Sequence, residues 1–289
     1  MKKVAALICY ALGGLGTAIV FLLVVSCQSG GRSASDGLVQ SDSGVPDTML
    51  QDVVPTDTMV AEAVVPKNAD EYFNDFIYSF TTNRRYQFSR VVFPLPYYRD
   101  GSKTFMQRSQ WEFSRMHTES PVYTVIFDRE SSLSLEKSCS VEKVVIEWFF
   151  MLTGRVQDYC FSRREGIWKL REVKEYPLAQ HPDSGFVSFY QKFATDTIYQ
   201  YRHLAEDIIV SMPDPDDGFE TLNGSIGPDQ WPMFRPELPR DVFTNIQYGQ
   251  CVDSKNQRVL AIEGSSNEFL MLLFFRHTDR GWQLYKIKG

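Results

Sequence analysis

Apolar residues fall at helical spacing twice along the chain, and each time a series of alternating segments follows. Phe73, Phe76, Ile77 and Phe80 stand three or four apart and predict a helix with one apolar face. Asn68 with Glu71 three residues on has the form of a capping box, which would start that helix. Asn83 is placed to cap a second helix, running to about Val92 before Phe93-Pro94-Leu95-Pro96 stops it. A loop containing Asp100-Gly101 then leads to Gln110-Trp111. From Val122 the period drops to two. Strands are expected over 122–127, 141–151, 156–163 and 167–175, with turn signals at 152–155 and 164–166. The second series begins at Asp183, ahead of a helix carrying Phe186, Phe189, Tyr190 and Phe193. Asp196 caps the next, expected to end before Pro213. Strands follow at about 242–248, 258–263, 268–277 and 282–288. Each series is helices first and then a four-stranded antiparallel meander, an α+β arrangement.

The two series are copies. Residues 73–88 (FNDFIYSFTTNRRYQF) align with residues 186–201 (FVSFYQKFATDTIYQY) at a shift of 113, since 186 − 73 = 113. Phe161 and Trp168 meet Phe275 and Trp282 at a shift of 114. Ser109-Gln110-Trp111 meets Asp229-Gln230-Trp231 at 120, after a longer acidic loop with Asp214, Asp216 and Asp217. So small a drift marks one domain written twice, over residues 67–177 and 183–289.

The last hairpin of the first copy carries Gly166-Ile167-Trp168-Lys169-Leu170. With the helix pair and the curved sheet, this ending resembles the nuclear transport factor 2-like (NTF2-like) superfamily. The second copy departs from it, with Gly281-Trp282-Gln283-Leu284 one residue shorter and Gln in place of Lys. The resemblance implies two tandem cone-shaped domains packed as an internal pseudo-dimer, and hence a monomeric soluble part. It extends to tandem-domain lipoproteins of Gram-negative bacteria that have no assigned function. The superfamily holds isomerases, dehydratases and domains that only bind, so the fold leaves activity open.

Lys2 and Lys3 precede an apolar run from Val4 to Val25, and Val24-Val25-Ser26-Cys27 closes it. A basic start, an apolar core and small residues before a cut describe an export signal over residues 1–26. The ending resembles the lipobox of bacterial lipoproteins, which implies acylation of Cys27, attachment to a membrane through that lipid, and a place in the cell envelope on the periplasmic or surface side, at the outer membrane. A plain transmembrane anchor is the alternative, since roughly twenty apolar residues span a bilayer. Residues 28–66 hold no aromatic residue and are rich in Ser, Gly, Asp, Val, Thr and Pro. Such a segment buries too little apolar surface to fold. Residues 27–66 therefore read as a disordered tether, with a root-mean-square reach of roughly 35 Å.

Charge narrows the partners. The chain has 30 basic and 36 acidic residues, a net −6. Nucleic acid is excluded as a partner, because binding it requires a basic face. A small ligand or an envelope protein remains.

Chemistry is sparse. There is no P-loop, GxSxG or HExxH pattern, so neither cofactor nor metal is expected. His117, His181, His203 and His277 have no ligand spacing and read as surface or helix-end residues. Cys139, Cys160 and Cys251 read as free, mostly buried thiols, with Cys160 opposite Glu147 across a hairpin. Glu147 and Glu263 sit in otherwise apolar strands, matched at a shift of 116. They are the candidate catalytic carboxylates, since burial in an apolar cone can tune such a group for proton abstraction. Alternation also puts Glu147 on the face away from Val144, Ile146 and Trp148. Tyr97, Tyr98, Trp111 and Trp231 fall in expected loops and are the candidate ligand contacts. The reading favoured by these residues is a lipid-anchored binding or scaffolding module without catalysis. An isomerase- or hydratase-type enzyme is the alternative.

Overall fold

Both halves open with a helix pair whose phenylalanines press on a sheet. A computed structural model describes residue 65 and residues 68–289, apart from 215, 218–219 and 251–253. The signal segment, Cys27, the tether except residue 65, and Cys251 lie outside the described residues. In the first half α1 (Phe73–Thr82) and α2 (Arg84–Arg90) precede β1 (Leu95–Arg99), β2 (Ser102–Met106), β3 (Val122–Phe127), β4 (Lys143–Phe150), β5 (Arg155–Arg164) and β6 (Ile167–Pro177). In the second, α3 (Ser184–Thr195) and α4 (Thr197–Arg202) precede β7 (Leu204–Pro213), β8 (Thr221–Ile226), the single turn α5 (Trp231–Phe234), β9 (Val242–Gln247), β10 (Gln257–Gly264), β11 (Leu270–Thr278) and β12 (Gly281–Lys288). Both halves fall in one compact unit, Glu62–Gly289.

The aromatic packing repeats. Phe73 lies 5.5 Å from Phe161 and 5.0 Å from Trp168, ring centre to ring centre. Phe186 lies 5.4 Å from Phe275 and 5.1 Å from Trp282. Phe80 meets Phe161 edge-on at 5.4 Å, and Phe193 meets Phe275 in the same way at 5.4 Å. All of these rings except Trp282, which is partly buried, are fully or almost fully buried, worth roughly 1.5–3 kcal/mol for a large apolar side chain.

Caps hold where a side chain is free to turn back. Asn83 accepts from the Tyr86 N–H at 2.8 Å, and Asp196 accepts from the Ile198 and Tyr199 N–H groups, both at 2.9 Å. The box at Asn68 and Glu71 does not form, because α1 begins at Phe73 and Tyr72 stands at its N-cap. Asp183 makes no cap either; its carboxylate binds Arg258.

Three segments differ from the sequence reading, one of them β8, which pairs with β7 where the longer loop was expected. The Asp100-Gly101 loop is the turn of the β1–β2 hairpin. Residues 204–213 are strand β7, where a continuing helix was expected. The β-branched Ile208-Ile209-Val210 run suits a pleated surface, and Ile209 and Val210 pair in parallel with Lys286 and Ile287 of β12. β1 pairs with β6 in the same parallel sense.

Two six-stranded sheets result, in the orders β2-β1-β6-β5-β4-β9 and β3-β10-β11-β12-β7-β8. Each contains one strand from the other half. β9 lies on β4, with Asn245 opposite Glu147, and β3 lies on β10, with Val125 opposite Ala261. This exchange accounts for the strands that are apolar on both faces. Leu272 and Phe274 of β11 join the core around Phe73 and Trp168, while Phe275 packs under α3. Phe149 of β4 stacks on Phe243 of β9 at 4.7 Å, and Phe243 in turn touches Tyr190 of α3 at 4.9 Å.

Candidate functional site

The two candidate glutamates occupy different positions in the repeat. Val144 pairs with Phe161 and Arg258 with Phe275, so the shift in these strands is 258 − 144 = 114. The counterpart of Glu147 is then Ala261 (147 + 114), and Glu263 corresponds to Phe149 (149 + 114). The apparent match at 116 came from comparing Ile-Glu pairs without the register.

Glu147 is buried and committed to the protein. Its Oε2 accepts from Asn245 Nδ2 at 2.7 Å, and its Oε1 accepts from Gln247 Nε2 at 2.5 Å. His181 Nε2 lies 3.2 Å from the same Oε1. His181 Nδ1 accepts from the Asp183 N–H at 3.0 Å, and Asp183 Oδ1 receives the Arg258 guanidinium. Burial pulls the His181 pKa down, but the bond and charge of Glu147, with Asp183 and Asp158, outweigh it and raise the value overall. Asp158, opposite Glu147 on β5, is pushed up to about 7 by burial and by the Glu147 charge. This knot ties β4, β9 and the link between the halves. It occupies three acceptor sites of the buried Glu147 carboxylate, and it corrects the reading of His181 as a surface residue.

Glu263 lies elsewhere, in a cavity of about 480 Å³. Strand β10 brings it beside Tyr123 of β3, whose hydroxyl donates to Glu263 Oε2 at 2.6 Å. The helical turn at Glu130–Lys137 adds Glu136, and Leu133, Phe269 and Leu270 supply apolar wall. Burial first, then the charge of Glu263 and a hydrogen bond to it, push Glu136 from 4.5 up to about 8. Burial and the same charge push the Tyr123 hydroxyl well above its ordinary range. Glu136 Oε1 and Glu263 Oε1 are both buried without a hydrogen-bond partner among the described residues. The pair can therefore hold a proton between its members. Glu136 is the residue that sequence reasoning missed. It is 127 residues from Glu263 (263 − 136 = 127), and only the exchanged strand β3 unites the cavity wall.

The aromatic candidates are otherwise employed. Trp111 and Trp231 are buried, and their indole N–H groups donate to Gln87 Oε1 at 3.1 Å and Gln200 Oε1 at 2.9 Å. The two glutamines also bind the carbonyls of Phe80 and Phe193, at 2.8 and 2.7 Å. These are matched structural clamps, so neither tryptophan is free to face a ligand. Tyr97 and Tyr98 lie in β1; the Tyr97 hydroxyl donates to Glu175 at 2.5 Å, and Lys103 covers the Tyr98 ring.

His117 is buried, against expectation, and burial lowers its pKa to about 4. Cys139 is exposed and Cys160 partly buried, both as free thiols; Cys160 faces Val145, two positions from the expected Glu147. Burial pushes the Cys160 thiol up to about 12, which disfavours the nucleophilic thiolate. Among the described residues no group of three or more His, Cys, Asp or Glu is placed to hold a metal, and no helix is long and apolar enough to cross a membrane.

Residues 52–289 match a family described as a domain of unknown function, DUF4348. The chain belongs to the DUF4348 family. This DUF4348 chain is similar in structure to an NTF2-like protein from Bacteroides fragilis NCTC 9343, solved as a crystal structure. The two share 38% identity and a TM-score of 0.72 over 77% of this chain and 97% of that one. The mixed α+β fold is accordingly NTF2-like, as the Gly-x-Trp-Lys-Leu ending implied. No curated protein matches the DUF4348 sequence.

Proposed function

We propose that this protein is a lipid-tethered binding module of the cell envelope whose ligand occupies the cavity formed by Tyr123, Glu136 and Glu263. The observation that carries the reading is the pair of carboxylates, Glu136 and Glu263, in a cavity wall shared with Leu133, Phe269 and Leu270 and with the polar Lys137, Asn267 and Glu268. At about 480 Å³ the cavity has the size of a small-molecule site. Its ligand presents a cationic or donor-rich head to the carboxylates and an apolar body to Leu133, Phe269 and Leu270. Acylation at Cys27 and a flexible tether over residues 27–66 hold the module at the membrane; the Lys2-Lys3 start and Val24-Val25-Ser26-Cys27 support this. The repeated ring geometry and the exchanged strands support two tandem domains, 67–177 and 183–289, folded as a monomeric pseudo-dimer.

The test is calorimetric titration of the full chain in detergent with benzylammonium and with benzyl alcohol. Saturable binding of the cation, lost in Glu263→Gln, supports the reading. Equal heats from the wild type and Glu263→Gln count against it. An isomerase- or hydratase-type activity is a second reading. It is favoured by Glu136, which keeps its proton near neutral pH beside Glu263 and so resembles a general acid paired with a base. Exchange of solvent deuterium into a bound carbonyl ligand, abolished in Glu263→Gln, would move the assignment from binding to catalysis.

A further inference from the structure

A second cavity, of about 280 Å³, lies where β3 and β9 meet, lined in part by Met116, His117, Tyr123, Trp148, Val242 and Thr244. Two of its lining side chains carry polar atoms that the protein leaves unpaired. His117 is only 5% exposed, and its Nδ1 has no hydrogen-bond partner; Trp148 Nε1 is likewise buried and unpartnered. A buried polar group left unpaired costs about 1–3 kcal/mol, so a protein seldom keeps two in one place without something to satisfy them. The surrounding elements fix both rings. The Tyr123 ring meets His117 edge-on at 5.0 Å, and Trp148 is held on β4 between Gln157 and Thr244.

We infer that this cavity is a binding site for a small uncharged ligand with a flat apolar body, one hydrogen-bond acceptor and one donor, as in a primary carboxamide or a lactam. The indole N–H can only donate, so the ligand must bring an acceptor to Trp148. Burial holds His117 neutral, so its ring offers one donor and one acceptor nitrogen; with the proton on Nε2, Nδ1 is the acceptor that a ligand donor would meet. A charged ligand is disfavoured, because no ionised partner faces it from His117 or Trp148, and burying an unpaired charge is costly. Glu119 in the wall adds repulsion against an anion. The volume lies just below the usual range for ligand sites, which suits a single ring with a small substituent. Met116, Val122, Pro239 and Val242 supply the apolar contact. The site is separate from the carboxylate cavity, although Tyr123 lines both.

The experiment uses the full chain in detergent, with labelled methionine methyls and indole nitrogens, titrated with benzamide, benzoate and toluene. Met116→Leu and Trp148→Phe assign the two reporters. Benzamide should shift the Met116 methyl and the Trp148 indole resonances saturably. Trp148→Phe should weaken that binding about tenfold as read at Met116, the loss of one buried hydrogen bond. His117→Ala should do the same, and if it fails to fold, Trp148→Phe carries the test. Benzoate and toluene should bind at least that much more weakly. Equal affinity for benzamide and toluene would reduce the cavity to an apolar gap and overturn the proposal. So would an indole resonance that benzamide never moves while it shows contact with bound water, which would mean water alone fills the space.

Discussion

Thr124 and Thr244, one from each half, hydrogen-bond each other's backbone reciprocally. The Thr124 N–H donates to Thr244 Oγ1 at 3.0 Å, and the Thr244 N–H donates to Thr124 Oγ1 at 3.2 Å. Each hydroxyl then donates to the other residue's carbonyl, at 2.5 and 3.2 Å. They differ by 120 in number, the same offset that relates Trp111 to Trp231. Both are buried, and they sit on β3 and β9, the exchanged strands at which the two sheets meet.

Thr124→Val should therefore cost more than a surface change. Valine keeps the shape, but it strands a buried N–H and a buried carbonyl. A loss of about 1–3 kcal/mol is expected, which lowers the melting midpoint by about 2–4 °C for each kcal/mol. Thr244→Val should match it. In the double variant the losses should fall short of their sum, since all four bonds belong to one pair. Thermal unfolding of the three variants gives the coupling directly.

The knot at Glu147 makes a different prediction. Removing its carboxylate by Glu147→Ala leaves Asn245, Gln247 and His181 without their acceptor. Leaving buried donors without an acceptor costs about 1–3 kcal/mol each, so this variant should be among the least stable single changes. The His181 part carries a pH signature. Its folded pKa is raised above 6.5, so its stabilisation is complete below that value and fades as pH climbs through the folded one. The stability gap between the wild type and His181→Gln should shrink from mildly acidic to alkaline pH. Denaturant melts at several pH values measure it.

Glu136 should act with the same sign from a different cause. Its folded pKa of about 8 stands above 4.5, so the folded state holds the proton more tightly than the unfolded one. That stabilisation is complete below 4.5 and lost as pH rises to about 8. Glu136→Gln keeps a neutral side chain throughout. It should thus melt higher than the wild type above pH 8 and close to it in acid. A melting curve that moves equally at both ends would show that Glu136 is not the titrating group.

Much of this was legible in the sequence, and the reasons differ by element. Phe73, Phe76 and Phe80 announce themselves by spacing, and the second copy repeats them, so both helix faces could be read from the sequence, although the rings they meet could not. The last hairpin was equally plain, through Gly166 and Trp168. Alternation also placed Glu147 away from the Val144–Ile146 face, correctly. Periodicity shows which face a residue takes and says nothing about which strand lies beside it. The exchange of β3 and β9 was therefore invisible, and so were the acceptors and donors it gathers: Asn245 on Glu147, Tyr123 on Glu263. Residues 204–213 were misread because two strong helices precede them and the run has no clean alternation. Glu136, in an irregular turn, gave no signal at all.

Cys27 yields a chemical prediction. Growth with a labelled fatty acid should mark the wild type and leave Cys27→Ala unmarked. Label that persists in Cys27→Ala would remove the lipid anchor from the proposed function.

The exchanged strands lead to the last prediction. Each sheet is completed by a strand that belongs, in chain order, to the other half. Residues 67–177 alone would lack β9, exposing the β4 edge that it covers, and would strand their own β3 without β10. The core around Phe73 would also lose Val259, Ala261, Leu272 and Phe274, which reach it from the second sheet. Each large side chain among these is worth up to roughly 1.5–3 kcal/mol when buried, and a domain's whole stability is about 5–15 kcal/mol, so the deficit is comparable to all the stability that half a chain would have. Expressed separately, residues 67–177 and 183–289 should therefore be unfolded or aggregated, with bare strand edges open to pairing. Co-expressed, the two should assemble into a heterodimer whose circular dichroism and melting resemble those of the joined chain. The joined chain should itself melt in one transition at every probe. A half that folds alone with a cooperative melt would mean that β3 and β4 can pair within one copy, and the exchange would then be an option of the fold and no requirement.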